Sequence, residues 1–343
     1  MKNIKELSLE ELKAVFKSWG EPEFHALQVF GWVYEKAVLD FDRMTNISVS
    51  LRNKLKLEFA PTGLKLVDTR DSYDGTRKLL LELADKNLIE AVIIPTDKRV
   101  TGCVSTQIGC KFACRFCASG LSGFKRNLTT ADILDEVVYL KNNSSGKELT
   151  HLVFMGMGEP LDNYDNLMRA IRIINSKDGL NIGARRITIS TCGVIPGIKK
   201  LAEEKLQIEL SISLHSADDK IRSVLMPVNK VYPLKNLIVA CRDYIQKTNR
   251  QITFEYIMLK GINSDLQAAE KLGRVMADLR LCKVNLIPFN PVREMDFESP
   301  GKMDVLIFKD YLLKRGLNVT LRKERGRDID AACGELRLRY VKK

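Results

Sequence analysis

Four of the eight cysteines in this chain lie in one short segment, CVSTQIGCKFACRFC, which spans residues 103–117. Cys110, Cys114 and Cys117 have the spacing CxxxCxxC, and Cys103 lies seven residues upstream. In a reducing compartment, clustered cysteines serve as metal ligands or redox groups more often than as disulfides. The segment is therefore a candidate metal or redox site.

The remaining sequence indicates the compartment and the class of partner. The first 20 residues lack the apolar core and cleavage site of a signal peptide, and the chain has no uncharged apolar run of membrane-spanning length. We therefore expect a cytoplasmic protein without membrane contact. The net charge of +12 and the isoelectric point near 9.2 favour a nucleic-acid partner, although a basic surface can also serve solubility alone.

The number of available ligands bears on the kind of metal site. A structural zinc site usually has four ligands, but this chain offers three closely spaced thiols and three histidines in all. A [4Fe-4S] cube needs one ligand for each iron, so three thiolates would leave one iron open. The pattern favours such a cube over zinc.

From residue 100 onward, apolar strands alternate with amphipathic helices, which predicts an α/β fold. The predicted strands are VTGCVST, HLVFMG, RITIST, QIELSISL, QITFEYIML, KVNLIPF and LNVTLR. The predicted helices are 130–143, 163–175, 195–204, 218–225, 234–247, 265–278 and 302–315. Repeated βα units with right-handed crossovers would curl into a full or partial (βα)6 barrel, with function at the carboxyl ends of its strands.

The residues before the barrel have two different patterns. Residues 1–65 predict a small helical domain that begins with a capping box at Ser8 and Glu11, with further helices at about 24–37 and 48–59. Its basic side chains fit an accessory RNA-docking domain, although a solvated helical face is the alternative for any single lysine. Residues 66–99 alternate in polarity and predict a short β extension before the barrel, residues 100–343.

CxxxCxxC within a βα array resembles the signature of the radical S-adenosylmethionine (radical SAM) superfamily. In that superfamily a [4Fe-4S] cluster binds S-adenosylmethionine at its open iron and cleaves it to a 5'-deoxyadenosyl radical. GMGEP, after the second strand, is similar to the glycine and acid motif that holds the amino group of the cofactor. The resemblance implies that Gly158 and Glu159 bind S-adenosylmethionine, whereas the glycines alone could mark a tight turn.

Further motifs resemble those of the RlmN family, which methylates C2 of an adenosine in 23S rRNA and in certain tRNAs. They are CVSTQIGCKFACRFCASG, GFKRNLT, FMGMGEPLDN, RITISTCGVIP, SISLHSADD, LIPFNP and RGRDIDAACG. The resemblance implies a monomer with an electron donor such as flavodoxin or ferredoxin. It also implies a set of residues that contact S-adenosylmethionine. Each of them could instead be a helix-cap or turn residue, and for Leu214 packing in the core is the preferred alternative. The implied contacts are Ser190, Ser213, Leu214, His215 and Asn290.

The family mechanism implies two further thiols and a base, and it uses two S-adenosylmethionine molecules in each turnover. Cys333 matches the cysteine that carries the methyl group, and Cys103 matches the cysteine that releases the product by forming a disulfide with it. Glu90 matches the proposed acceptor of the C2 proton. The resemblance thus implies an RNA methyltransferase with Cys333, Cys103 and Glu90 as catalytic residues.

Two other enzyme classes are alternatives. A Cfr-type methylase modifies C8 of the same adenosine, but Pro160 in GEP and the run 288–291, PFNP, favour C2. A radical SAM activase of a protein partner, or a non-catalytic iron-sulfur protein that binds RNA, would not need Cys103 and Cys333. The remaining cysteines are Cys192, Cys241 and Cys282, which we assign no role because free cysteines in apolar contexts behave as small buried hydrophobes.

Overall fold

The computed structural model describes residues 1–121, 123–291 and 295–331 of the chain. Cys333, the predicted methyl carrier, lies outside the described residues. The N-terminal part has a short parallel strand pair and three helices, at the positions that the sequence predicted. These elements are β1 (Lys2–Asn3), α1 (Leu9–Ser18), α2 (Glu23–Tyr34), α3 (Val49–Glu58) and β2 (Phe59–Ala60).

Both halves of the predicted capping box are present at α1. The Ser8 side chain accepts a hydrogen bond from the Glu11 N–H, and the Glu11 carboxylate accepts one from the Ser8 N–H. These bonds satisfy two of the backbone donors that every helix leaves unpaired at its N-terminus. The first helix of the chain therefore begins where the sequence predicts.

The β extension consists of three antiparallel strands. They are β3 (Leu64–Asp71), β4 (Arg77–Leu83) and β5 (Leu88–Pro95). β5 pairs antiparallel with β6 (Val100–Cys103), the first strand of the barrel. The extension is thus continuous with the barrel sheet, where the sequence had indicated a small sheet leading into the main domain.

The rest of the chain contains the barrel strands and helices, and residues 107–108 and 126–127 form a separate antiparallel strand pair outside the barrel sheet. The elements are β7 (Gln107–Ile108), α4 (Ala118–Leu121), β8 (Arg126–Asn127), α5 (Thr130–Asn142), β9 (His151–Phe154), α6 (Tyr164–Asn175), β10 (Ile187–Thr191), α7 (Ile195–Glu203), β11 (Glu209–Ser213), α8 (Asp219–Leu225), α9 (Leu234–Thr248), β12 (Ile252–Met258), α10 (Leu266–Ala277), β13 (Cys282–Pro288), α11 (Lys302–Lys314) and β14 (Val319–Leu321).

One ten-stranded sheet has the order β14-β13-β12-β11-β10-β9-β6-β5-β4-β3. All pairings from β6 to β14 are parallel, and β14 and β3 are the two opposite edges of the sheet. Because those edges do not pair with each other, the barrel is open. This architecture confirms the predicted α/β fold with a partial barrel of six βα units.

A buried ion pair connects the N-terminal part to the barrel. The Lys5 ammonium lies 2.7 Å from a carboxylate oxygen of Asp135 on α5, and both side chains are fully buried. The other oxygen of Asp135 accepts hydrogen bonds from the Asn3 side chain at 2.6 Å and from the Gly63 N–H at 2.7 Å. Breaking such a pair leaves an uncompensated buried charge, so the two parts depend on each other for stability.

The core is one continuous cluster of apolar side chains that runs from the N-terminal helices into the barrel. α5 is central to it, because its residues 130, 131 and 133–140 are all buried between the sheet and the N-terminal helices. A helix that is covered on most of its circumference needs apolar residues on several faces, as α5 has. Within the described ranges, no helix is long and apolar enough to cross a membrane.

Candidate active site

Cys110, Cys114 and Cys117 lie on the loop between β7 and α4, and all three line one cavity of about 140 Å³. The loop is tightly folded. The Cys117 N–H donates to the Cys114 carbonyl at 3.1 Å, and Ala113 has a left-handed backbone with φ of 49°. Gly109 has φ of 72°, and a Cβ there would lie 1.6 Å from a backbone oxygen, so only glycine fits this position.

The three thiols suit a cluster better than a single ion. Burial raises the pKa of Cys110 to about 12 and raises that of Cys114 well above its ordinary value. Metals bind thiolates, so loading this site would release protons. Among the described residues, no three His, Cys, Asp or Glu side chains are grouped around one point that could hold a metal ion. In a cube, each thiolate binds a different iron, and three thiols around one cavity meet that need.

The glycines of GMGEP serve close packing within the chain. A Cβ on Gly156 would lie 2.7 Å from the Ser105 hydroxyl, and one on Gly158 would lie 2.5 Å from Cβ of Gln107. Gly158 also has φ of 101°, which disfavours any other residue. The glycines therefore let the end of β9 pack against the segment that follows β6. The predicted contact between Gly158 and S-adenosylmethionine stays a prediction.

Glu159 presents a buried carboxyl to the same cavity. Its two oxygens accept hydrogen bonds from the Cys192 N–H at 2.8 Å and from the Leu161 N–H at 3.0 Å. Burial raises the pKa of Glu159, and these backbone bonds act in the opposite direction. The carboxyl lines the cavity, where its ionised form can pair with an ammonium group of a ligand.

Three polar residues at neighbouring strand ends complete the wall of this cavity: Ser190, Ser213 and His215. The His215 ring packs edge-on against Phe116 of the cysteine loop, with centroids 4.6 Å apart. Burial lowers the pKa of His215 to about 3, so the ring is neutral. Its Nδ1 accepts a hydrogen bond from the Ile257 N–H at 3.0 Å, which assigns the ring proton to Nε2.

Leu214 differs from its neighbours, because its side chain is fully buried in the core and does not line the cavity. Its carbonyl accepts a hydrogen bond from the guanidinium of Arg222 at 3.1 Å, and the same guanidinium donates to the Cys192 carbonyl at 2.8 Å. Arg222 is fully buried and joins the ends of β10 and β11. The sequence did not identify this residue.

A second cavity of about 630 Å³ occupies the inside of the open barrel. Its lining residues include Cys103 and Asn290, and it shares Met155, Glu255 and Arg322 with the first cavity. The two cavities therefore adjoin. Basic side chains outnumber acidic ones along this second cavity. The basic residues are Arg99, Arg185, Arg186, Lys283, Arg322, Lys323 and Arg325, and the acidic residues are Glu209, Glu255 and Glu324.

Strand register places Cys103 in a row of residues on the inner face of the sheet. Arg70 pairs with Lys78, Lys78 with Val92, and Val92 with Cys103, so all four point to one side. Glu90, two residues before Val92, points to the same side. The Lys78 ammonium lies 3.1 Å from one oxygen of Glu90, and both side chains are buried.

The other oxygen of Glu90 is buried and has no hydrogen-bond partner among the described residues. Burial raises the pKa of Glu90 to about 7, against the lowering effect of the Lys78 charge. Glu90 can therefore accept a proton near neutral pH, as a general base must.

Comparisons with known proteins agree along the whole chain. A sequence model of the radical SAM superfamily matches residues 104–272, and one of the ribosomal RNA large subunit methyltransferase N-terminal domain matches residues 2–60. A probable dual-specificity RNA methyltransferase RlmN from Clostridium perfringens is 46% identical over 343 residues, covering 100% of this chain and 98% of that protein. The chain belongs to the RlmN family.

Other relatives support the same family assignment. The probable dual-specificity RNA methyltransferase RlmN of Thermoanaerobacter sp. is 45% identical and covers 100% of this chain and 99% of its own length. The crystal structure of a radical SAM methyltransferase from Sphaerobacter thermophilus has a TM-score of 0.96 at 41% identity, covering 98% of this chain and 99% of that one. The predicted resemblance, the radical SAM fold and the methyltransferase class are thereby confirmed. A [4Fe-4S] cluster and S-adenosylmethionine follow from membership of the radical SAM superfamily.

The structure brings most of the predicted site residues into two groups. One group surrounds the first cavity: Cys110, Cys114, Cys117, Gly158, Glu159, Ser190, Ser213 and His215. Cys103 and Asn290 line the second cavity, and a side-chain oxygen of Asn290 is buried without a hydrogen-bond partner among the described residues. Glu90 lies beside Lys78 on the same face as Cys103, and Leu214 packs in the core. Their individual roles stay predictions.

Two further polar residues near the site escaped sequence reasoning. Glu255 lines both cavities and accepts a hydrogen bond from the Asn285 side chain at 2.7 Å. A single acid within the apolar strand QITFEYIML was a signal that could have identified it. Lys78 lies in a strand with several charged residues, and only the strand register reveals that it faces Glu90.

Proposed function

We propose that this protein methylates C2 of an adenosine in 23S rRNA, and of an adenosine in tRNA, through a methylated Cys333. The observation that carries this proposal is the position of Cys103 and Glu90. Cys103 lines a cavity that adjoins the one lined by the three cysteines of CxxxCxxC, and Glu90 points to the same face of the sheet as Cys103. Ala331, two residues before Cys333, lines the same cavity as Cys103.

The target atom explains why radical chemistry is needed. C2 of adenine lies between two ring nitrogens, so it is electron-poor and cannot act as a nucleophile toward a sulfonium methyl group. When bound, the cluster and two S-adenosylmethionine molecules supply a methyl group, a 5'-deoxyadenosyl radical, and one electron that the RNA adduct later returns. Two molecules per turnover are needed because methyl donation and radical formation each consume one.

Three residues of the chain carry the remaining steps. The Cys333 thiolate takes the methyl group, loses one hydrogen atom from it to the radical, and bonds through the resulting methylene to C2. Glu90 accepts the C2 proton. The Cys103 thiolate then attacks the sulfur of Cys333, the sulfur–carbon bond breaks with its electron pair on carbon, and protonation of that carbon gives the methyl group. Cys103 and Cys333 are left as a disulfide, which two electrons from a reductant reopen.

The first cavity would hold S-adenosylmethionine. Glu159 and Gly158 would bind its amino group, and Ser190, Ser213 and His215 lie at strand ends where they can reach the rest of the molecule. Asn290 lies at the adjoining cavity, and its amide oxygen has no hydrogen-bond partner in the part of the chain that the structure describes. For Leu214, whose side chain is in the core, contact through the main chain is the remaining option.

We assign RNA docking to residues 1–65, which carry exposed basic side chains, with residues 66–99 as the β extension and 100–343 as the barrel. Lys17, Lys36 and Arg43 are exposed on the N-terminal helices and the loop between them. The basic lining of the barrel cavity supports the same class of partner, because neutralising RNA phosphates releases counterions. The proposal includes a cytoplasmic monomer and a flavodoxin or ferredoxin as electron donor.

Mass spectrometry of 23S rRNA from cells with and without the gene tests this function. The proposal predicts 2-methyladenosine at one position in the first RNA and an unmodified adenosine in the second. A gene copy with Cys333→Ala should behave like the deletion. Finding 8-methyladenosine instead would contradict the C2 assignment that Pro160 and the run 288–291 support.

A further inference from the structure

The turn between β3 and β4 contacts the chain segment that leads to Cys333. The Ser72 hydroxyl donates to the Asp328 carboxylate at 2.5 Å, and the Gly326 N–H donates to the Asp74 carboxylate at 3.0 Å. Gly326 packs so closely that a Cβ on it would lie 2.8 Å from the Thr76 methyl carbon. About 250 positions separate these partners in the sequence. The β extension therefore holds residues 326–331 through long-range contacts.

Lys78, two residues after this turn, makes two contacts at once. Its ammonium lies 3.1 Å from a carboxylate oxygen of Glu90 and donates a hydrogen bond to the main-chain carbonyl of Asp330, also at 3.1 Å. Lys78 is buried, as is Glu90. One side chain thus joins the predicted proton acceptor to a point three residues before the predicted methyl carrier.

We propose that Lys78 is a positioning residue for the methyl transfer to RNA: it fixes the Glu90 carboxylate and residues 326–331, which precede Cys333, relative to each other. This inference rests on the proposed function. In the reaction, the carbon attached to Cys333 bonds to C2 while Glu90 takes the proton from that same atom. The two groups must therefore approach one carbon together, and a common anchor limits their relative movement.

Stability alone gives little reason for this pair. Burying a lysine and a glutamate costs desolvation energy, and replacing such pairs by apolar side chains is often neutral or stabilising. Moreover, the free oxygen of Glu90 has no hydrogen-bond partner among the described residues, which a purely structural ion pair would not require. A buried polar atom without a partner is uncommon in a protein interior, and a catalytic role is one explanation for it.

The charges around Glu90 determine how its pKa should change when Lys78 is replaced. Lys78 on β4 and Arg70 on β3 lower its pKa, and Asp330 on the C-terminal segment raises it. Arg70 is itself paired with Asp68. An opposite charge at this distance typically lowers a carboxyl pKa by about 1 to 3 units. Removing the Lys78 charge should therefore move the acid limb of RNA methylation to higher pH by about that amount.

The experiment compares Lys78→Met and Lys78→Arg with Lys86→Met, a matched control at the exposed turn between β4 and β5. For Lys78→Met we expect RNA methylation to fall about a hundredfold, as for small misplacements of reacting groups, and its acid limb to shift upward. Reductive cleavage of S-adenosylmethionine should stay within about twofold of the wild type, because the first cavity is untouched. Lys78→Arg should restore most methylation, and Lys86→Met should match the wild type.

A second variant tests the position of residues 326–331 without changing either contact of Lys78. Asp74→Ala removes the acceptor of the Gly326 N–H at the turn and leaves the Lys78–Glu90 pair in place, so it should lower RNA methylation without shifting the acid limb. It also keeps the test valid if Lys78→Met does not fold.

Three results would overturn the inference: wild-type methylation with an unshifted acid limb in Lys78→Met, equal loss of cofactor cleavage and methylation in a folded Lys78→Met, or wild-type methylation in Asp74→Ala. If the unaltered protein itself makes no 2-methyladenosine, the proposed function fails instead.

Discussion

Two regions of this protein, the first cavity and the sheet face that carries Cys103 and Glu90, are built in different ways. The first cavity, around the cysteine loop, uses residues at the carboxyl ends of neighbouring parallel strands, such as Glu159 after β9 and His215 after β11. The face that carries Cys103 and Glu90 instead depends on antiparallel strands added at one edge of the sheet. The segment 326–331, near the other end of the sequence, contacts these antiparallel strands and the turn between them.

This difference separates two functions. The first cavity contains the residues that we propose as cluster ligands and as contacts of S-adenosylmethionine. The face with Cys103 and Glu90 carries the groups to which we assign the reaction with RNA, and contacts between residues 72–78 and residues 326–330 connect this region to the segment before Cys333. Damage to the first region should therefore stop all radical chemistry, whereas damage to the second should spare cofactor cleavage and stop methylation. The predictions below test that division.

The largest effect is expected from the cluster ligands. Changing Cys110, Cys114 or Cys117 to Ala removes one iron ligand, so each variant should lose cofactor cleavage and RNA methylation together. Cys282→Ala, a partly buried cysteine away from both cavities, is the control and should keep both activities. Iron and sulfide analysis should give about four of each for the control protein after anaerobic reconstitution. Zinc without sulfide in the unaltered protein would contradict the cluster assignment.

An intermediate effect is expected from Glu90. Glu90→Gln removes the proton acceptor, so RNA methylation should fall by about 10² to 10⁴, the usual contribution of a general base, while cofactor cleavage persists. In the unaltered protein only the ionised carboxylate accepts a proton. Because its pKa is about 7, methylation should rise with pH through that value and level off above it. A methylation rate independent of pH across this range would argue against Glu90 as the proton acceptor. Glu82→Gln on β4 is the control and should methylate RNA like the unaltered protein.

The smallest effect is expected from the RNA-docking surface. Deleting residues 1–65 would remove Lys5 from Asp135 and uncover the face of α5 that packs on the N-terminal helices, so exposed charges are the better target. Lys17, Lys36 and Arg43 changed together to Glu should weaken RNA binding and flatten its dependence on salt. The same change at the exposed residues Lys302, Lys314 and Arg315, at the two ends of α11, is the control. Equal effects of both triple variants would contradict the docking assignment.

Much of the fold followed from sequence patterns because its elements are regular and local. The alternation of apolar strands and amphipathic helices predicted every βα unit, and helix ends such as the capping box at Ser8 were explicit in the residues. The N-terminal helices also matched. What the patterns could not give was the pairing of β5 with β6, because alternation defines a strand and its faces but not its neighbour.

The candidate site divides in the same way. The cysteine spacing and the strand-end motifs predicted the groups around the first cavity, since consecutive parallel strands bring their ends together. Lys78 could not be predicted, because its proximity to Glu90 follows from register and its contact with Asp330 joins distant parts of the chain. The apolar side chain of Leu214 indicated its position in the core, whereas the family resemblance implied a contact with S-adenosylmethionine.

The central claim is that Cys103 and Cys333 have opposite roles in one covalent cycle. With Cys103→Ala, the carrier and the radical step remain but no thiol attacks the thioether, so Cys333 should stay joined through a methylene to adenine C2. With Cys333→Ala, no adduct can form. Denaturing electrophoresis of each variant purified from cells, before and after ribonuclease treatment, is the most direct measurement. The account predicts a nuclease-sensitive protein–RNA species for Cys103→Ala alone; such a species with Cys333→Ala, or full activity in either variant, would contradict it.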